Sequence, residues 1–95
     1  MHRYLVERTF PDGLIIPGTA EGAKALQGVV EKNLEHDVSW VMSYVSPDRT
    51  RTFCIYDGPT PEAIRAAANS TGLPVDSITE VSELTPYFYR TPDAN

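Results

Sequence analysis

Two strand-like segments joined by a very short link constrain the fold of this 95-residue sequence more than any other feature. The segments, VSWVMSYV (38–45) and TRTFCIYD (50–57), are rich in β-branched and aromatic residues, and the polar tetrapeptide SPDR (46–49) separates them. A link of this length joins antiparallel strands, whereas parallel neighbours need a crossover of roughly a dozen residues. The sequence therefore predicts an antiparallel hairpin at the centre of the chain.

The flanking segments predict one strand and one helix on each side of this hairpin. RYLVERTF (3–10) ends at a Pro-Asp-Gly turn and is typical of a strand, as is SITEVSEL (77–84). In the second helix, Thr60 is suited to the N-cap and Gly72 to the C-terminal end. In the first helix, over 20–36, apolar residues recur at three- and four-residue steps and form one apolar stripe: Ala23, Leu26, Val30 and Leu34.

The predicted order is β-α-β-β-α-β, the split pattern of a ferredoxin-like sandwich. We therefore expect an α+β fold in which a four-stranded antiparallel sheet carries both helices on one face. The length suits one domain, for which we expect residues 1–89, followed by a flexible C-terminal tail over 90–95.

Composition and charge exclude several functional classes. The single cysteine rules out an intramolecular disulfide, and the N-terminal residues include no long apolar run, so we expect a cytoplasmic protein without a membrane span. The net charge is −5, and the eight Lys and Arg residues are scattered along the chain. Because phosphate contacts need a basic surface, nucleic acid is not an expected partner.

Alternation along the strands predicts a second, open side of the sheet. Helices pack best on aliphatic side chains, so we expect Val41, Val45, Phe53 and Ile55 to face them, together with Tyr4 and Val6 of the first strand. The residues expected on the opposite side are Leu5, Glu7, Trp40, Met42, Tyr44, Cys54 and Tyr56. An apolar surface of this size is typical of a contact surface, which predicts a homodimer with facing sheets.

Three interpretations of Cys54 are open: nucleophile, metal ligand or packing residue. A nucleophilic cysteine needs a nearby base, and neither His2 nor His36 falls on the open side by alternation. As a metal ligand, Cys54 would pair with Glu7 on the neighbouring strand. Packing is favoured, because cysteine is among the most buried residue types.

Glu7 is the strongest functional candidate, because a carboxylate on an aromatic surface needs a partner. Arg8 and Arg51 fall on the helix side or at the rim by the same alternation, so neither is expected to neutralise it. Glu7 could therefore act as a metal ligand, as a general base or as half of an inter-subunit ion pair.

The blocks YLVERTFP, SYVSPDRTRTFCIYDGPTPEAIRAAA and GLPVDSITEVSELTPYFY resemble a small bacterial family, domain of unknown function four-two-four-two. The resemblance implies a dimerising ferredoxin-like sandwich, and the best-described kind of member is a nickel-binding protein. Similar members often have histidine where this chain has Met42. Loss of that imidazole would shift the preference toward softer metals.

The leading hypothesis is a non-enzymatic dimeric binding protein for a nickel-like transition metal or a small ligand, with no organic cofactor. The predicted ligand-binding residues are Glu7, Trp40, Met42, Tyr44, Cys54 and Tyr56, of which Glu7 and Cys54 would hold the metal. The alternative is a cofactor-free dimeric αβ-barrel enzyme of monooxygenase or isomerase type, with Glu7 or Tyr56 as the acid–base group. A third hypothesis is a module whose open side only dimerises.

Overall fold

The computed structural model describes residues 1–16 and 18–86. Its elements follow the predicted order: β1 (His2–Thr9), α1 (Ala20–Leu34), β2 (Ser39–Val45), β3 (Arg51–Gly58), α2 (Pro61–Thr71) and β4 (Ser77–Val81). The predicted ferredoxin-like α+β fold is therefore confirmed. The predicted tail, 90–95, and the end of the predicted domain lie outside the described residues.

The four strands form one antiparallel sheet in the order β2-β3-β1-β4. The predicted hairpin joins β2 to β3. In its turn the Asp48 carboxylate accepts hydrogen bonds from the Thr50 backbone N–H at 3.0 Å and from Ser46 Oγ at 2.7 Å. These bonds to the ionised carboxylate lower the pKa of Asp48. The side chain thus stabilises the turn that sets the hairpin.

The close-packed part of the core lies beneath α2. This helix begins as predicted, with Thr60 Oγ1 accepting from the Ala63 N–H at 3.1 Å, and ends at Gly72 with φ 71°. Ile64 packs against the sheet so tightly that a Cβ on Gly58 would lie 2.8 Å from its Cδ1 atom. The buried apolar residues of this cluster are Tyr4, Val6, Val38, Cys54, Tyr56, Ile64 and Ala67.

In contrast, α1 does not pack closely on the sheet. Its only buried residues are Gly22 and Asn33, and Leu34 at the end of the predicted stripe is 58% exposed. The apolar stripe predicted on this helix is therefore only partly covered. The physical reason is a cavity between the middle of α1 and the sheet. Within the two described ranges, neither helix combines the length and apolar content needed to cross a membrane.

The two sides of the sheet are called the helix face and the open face. On β1, β2 and β3 the helix face includes Tyr4, Val6, Arg8, Trp40, Ser43, Val45, Thr52, Cys54 and Tyr56. On the same strands the open face includes Arg3, Leu5, Glu7, Met42, Tyr44, Arg51, Phe53, Ile55 and Asp57.

The predicted faces are correct for β1 and wrong for β3. Val6 lies opposite Cys54 and Tyr4 opposite Tyr56, and residues directly opposite one another share a face. Cys54 and Tyr56 are therefore buried under the helices, while Phe53 and Ile55 point to the open face. Alternation separates the two sets of β3, but only the pairing with β1 decides which set the helices cover.

A β-bulge at Val41 changes the faces of β2. Trp40 pairs with Tyr56, and Met42 pairs with Ile55, so Val41 has no partner in the register. The bulge places Trp40 on the helix face and Met42 on the open face. The prediction that these two residues share a face is therefore wrong, and so is the predicted packing of Val41 under the helices.

Candidate functional site

The six predicted ligand-binding residues divide between two surfaces. Glu7, Met42 and Tyr44 lie on the open face, whereas Trp40, Cys54 and Tyr56 line the cavity on the helix face. Glu7 and Cys54, the predicted metal ligands, therefore point to opposite sides of the sheet. Within one chain they do not meet at one ion. The acid–base residues of the enzymatic hypothesis, Glu7 and Tyr56, are separated in the same way.

The open face has an apolar centre. Met42 lies opposite Ile55 and Ile55 opposite Leu5, and in the next row Tyr44 lies opposite Phe53. Met42 is 43% exposed and Tyr44 60% exposed. One row of apolar side chains across three strands and a second across two form a contiguous patch rather than scattered exposed residues.

Glu7 has partners within its own chain at one end of this patch. Its Oε2 atom accepts a hydrogen bond from Ser77 Oγ at 2.7 Å, and its Oε1 atom lies 3.3 Å from Arg51 Nη2. Arg51 also stacks over the Phe53 ring, with 5.2 Å from Cζ to the ring centroid. The prediction that Arg51 does not neutralise Glu7 within one chain is therefore wrong, because the reversed faces of β3 place Arg51 on the open face beside Glu7.

A second ion pair lies at the other end of the patch. Arg3 forms a bidentate ion pair with Asp57, with 2.8 Å from Nε to Oδ1 and 3.0 Å from Nη2 to Oδ2. Arg3 also forms an ion pair with Glu83. The hydrogen bonds from Arg3 lower the pKa of Asp57. The open face therefore carries an ion pair at each end of its apolar centre.

The Arg3–Asp57 pair predicts how the free energy of unfolding changes as the pH is lowered. The pKa of Asp57 is lower in the folded chain than its unfolded value of about 3.9, so its contribution is present above that value and is lost as the pH falls through the folded pKa. In urea denaturation from about pH 6 to pH 3, wild type is expected to lose more stability than Asp57→Asn. The exposed-site variant Asp12→Asn is the control and should follow wild type. Parallel curves for wild type and Asp57→Asn would contradict the prediction.

The cavity on the helix face has a volume of about 250 Å³ and lies between α1, the loop 14–16 and the sheet. Trp40 forms one wall, held by a 2.8 Å hydrogen bond from its Nε1 to Ser43 Oγ. Tyr56 forms part of the floor, and its burial raises the pKa of its hydroxyl. Cys54 is buried beside it, with Sγ 3.6 Å from Thr52 Oγ1. The packing interpretation of Cys54 agrees with this burial.

Arg8 also lines this cavity and is only 3% exposed. Its Cζ atom lies 5.5 Å from the centroid of the Tyr56 ring. Its Nε and Nη1 atoms have no hydrogen-bond partner among the described residues. Sequence reasoning did not single out Arg8 as functional. The available signal was a charged residue in alternation with the buried Tyr4 and Val6.

The His, Cys, Asp and Glu side chains of the described residues form no metal site within one chain. In the part of the chain that the structure describes, no group of three or more His, Cys, Asp or Glu residues could hold a metal. His2 Nδ1 lies 3.6 Å from Glu80 Oε2, but both side chains are exposed and they form a pair only.

The fold and these two surfaces define a small ferredoxin-like domain with an apolar open face and a helix-side cavity. The chain belongs to the SCO4226-like family, since the family model described as "Nickel responsive protein SCO4226-like" matches residues 4–81. This membership confirms the predicted link to a nickel-related family, while the family number stays a prediction.

Among solved structures, the chain is similar to SCO4226 from Streptomyces coelicolor A3(2), known from a crystal structure analysis. The TM-score is 0.69 and the identity 19%, over 87% of this chain and 99% of the other. At this identity the likeness shows the fold alone. The curated proteins include no match to this chain.

Proposed function

We propose that this chain functions as a homodimer joined through its open faces, and that the dimer binds a transition metal, with nickel as the first candidate. The observation that carries the proposal is the exposure of Met42 and Tyr44 on an apolar sheet face. A patch of this kind is typical of a contact surface, and burying it against a second copy removes it from water.

The distribution of charge supports a second copy as the partner. A two-fold interface brings the same surface together from both subunits, so the surface must complement itself. The open face does so, because each end of its apolar centre carries one cation and one anion, Arg3 with Asp57 and Arg51 with Glu7. An apolar centre with a charged rim is also the usual arrangement of a protein interface.

The metal part of the proposal rests on the family description and on the open-face donors. One chain's described donors do not form a metal site, so the proposal requires ligands from both copies. Glu7 supplies a carboxylate and Met42 a thioether on the same face. This mixture of a hard and a soft donor suits a borderline ion such as Ni²⁺ better than Mg²⁺ or Ca²⁺.

The test is calorimetric titration of the untagged protein with Ni²⁺, Cu²⁺ and Zn²⁺. Wild type should bind Ni²⁺ stoichiometrically, Glu7→Gln should weaken binding by about tenfold or more, and Met42→His should tighten it. Glu62→Gln, which removes an exposed carboxylate from α2, is the matched control.

Two outcomes would contradict this assignment. No binding of any of the three ions would remove the metal from the proposal. Binding that is lost in Cys54→Ser but retained in Glu7→Gln would move the ion to the helix face, where Cys54 lies.

A further inference from the structure

We propose that the cavity beneath α1 binds a small apolar carboxylate, which pairs with Arg8 while its apolar part fills the space between α1 and the sheet. The inference depends on neither nickel nor dimerisation, because the cavity lies on the helix face. It rests on the surroundings of Arg8, on the chemistry of the lining and on the position of α1.

The guanidinium of Arg8 provides the first argument. The Cζ atom of Arg8 lies over the Tyr56 ring, 5.5 Å from its centroid, and this cation–π contact supplies no hydrogen-bond acceptor to Nε or Nη1. Both nitrogens are buried without a hydrogen-bond acceptor among the described residues. A buried charge in this state is destabilising, and a carboxylate that accepts a charge-assisted hydrogen bond from the guanidinium would relieve part of this cost.

The lining defines the chemical class of the ligand. No Asp, Glu or Lys lines the cavity, so Arg8 supplies its only formal charge among the described residues. One guanidinium balances one negative charge, which favours a monocarboxylate over a phosphate ester. Most other lining side chains are apolar, including Leu14, Val29 and Trp40, and they offer few partners to a hydroxyl-rich ligand such as a sugar.

The volume and α1 limit the size of the ligand. The cavity of about 250 Å³ lies just below the usual range of small-molecule sites, roughly 300–1,000 Å³, so one ring or a short alkyl chain is expected to fit. Leu26 and Val29 of α1 line it, and both side chains are only partly buried. An apolar ligand would therefore contact both layers and stabilise the attachment of α1 to the sheet.

The experiment is a calorimetric titration with phenylacetate and hexanoate, with phenylacetamide as the neutral analogue of phenylacetate. EDTA is present, so metal binding does not contribute. Wild type should bind at least one of the two carboxylates. If phenylacetate binds, its affinity should be at least about tenfold higher than that of phenylacetamide. Arg8→Gln should abolish carboxylate binding. Arg8→Lys keeps the positive charge but not the planar guanidinium with its several N–H donors, and it should retain part of the binding.

The control and a second variant keep the test decisive. Arg65→Gln removes an exposed arginine from α2 and should behave as wild type. If Arg8→Gln does not fold, Leu26→Trp serves instead, since an indole filling the cavity should block binding while Arg8 is retained. Saturable binding of neither acid would overturn the proposal. So would saturable binding of phenylacetate with the same affinity as its amide, or unchanged carboxylate binding in Arg8→Gln and Leu26→Trp.

Discussion

Ile55→Asp is expected to convert the proposed homodimer into a monomer with an unchanged fold. Ile55 lies at the centre of the open face, between Met42 on β2 and Leu5 on β1. In the dimer an aspartate at this position would be buried without a partner, whereas in the monomer it faces water. Burying this unpaired carboxylate should weaken dimerisation by about 3 kcal/mol or more. Because each 1.4 kcal/mol corresponds to roughly tenfold in the dissociation constant, dimer affinity should fall by about 100-fold or more.

Sedimentation velocity over a range of protein concentrations measures this change, and far-ultraviolet circular dichroism confirms that the fold is retained. Val30→Asp is the control, since it introduces the same carboxylate at an exposed apolar position of α1. Wild type that is monomeric at every concentration, or Ile55→Asp that remains dimeric, would exclude the open face as the interface.

Ile64→Ala should cause the largest loss of stability among single substitutions on α2. Ile64 is 2% exposed and packs between α2 and the sheet, where truncation leaves a cavity. Such substitutions usually lower the free energy of unfolding by about 2–5 kcal/mol, a large share of the 5–15 kcal/mol typical of a domain. Urea denaturation at one fixed protein concentration measures the change, because dimerisation would make stability depend on concentration.

The contact between Ile64 and Gly58 gives this prediction a sharper test. A Cβ on Gly58 would lie 2.8 Å from Ile64 Cδ1, so Gly58→Ala should destabilise wild type. Ile64→Val removes that Cδ1 atom, and Gly58→Ala should then be less harmful, which a double-mutant cycle measures. Leu84→Ala, at an exposed position, should change stability by less than about 0.5 kcal/mol. Additive effects at positions 58 and 64 would show that the close contact is not the cause.

The elements were predictable because their signals are local. The SPDR link defines the hairpin, Thr60 and Gly72 mark the ends of α2, and these features depend only on neighbouring residues. Which face of β3 the helices cover was not predictable, because it depends on the register between Val6 and Cys54. The two residues are far apart in sequence, and alternation alone is equally consistent with both arrangements.

The candidate sites were predicted only in part. Leu5 and Glu7 on the open face follow from the alternation of β1, whereas the apolar residues of β3 were assigned to the wrong face and the bulge at Val41 has no Pro or Gly signal in the sequence. Arg8 was missed because its importance depends on what surrounds its N–H groups, which the sequence does not show. The homodimer, the metal ligands and a cytoplasmic location stay predictions.

The bulge at Val41 lets β2 contribute an aromatic side chain to each side of the sheet. Its N-terminal part presents Trp40 to the cavity, and its C-terminal part presents Tyr44 to the open face. Without the bulge, regular alternation over residues 40–44 would place these aromatics on the same side of the sheet. Because of the bulge, substitutions at position 40 and at position 44 can alter the two surfaces independently, which makes β2 a natural place to redesign one of them while keeping the other.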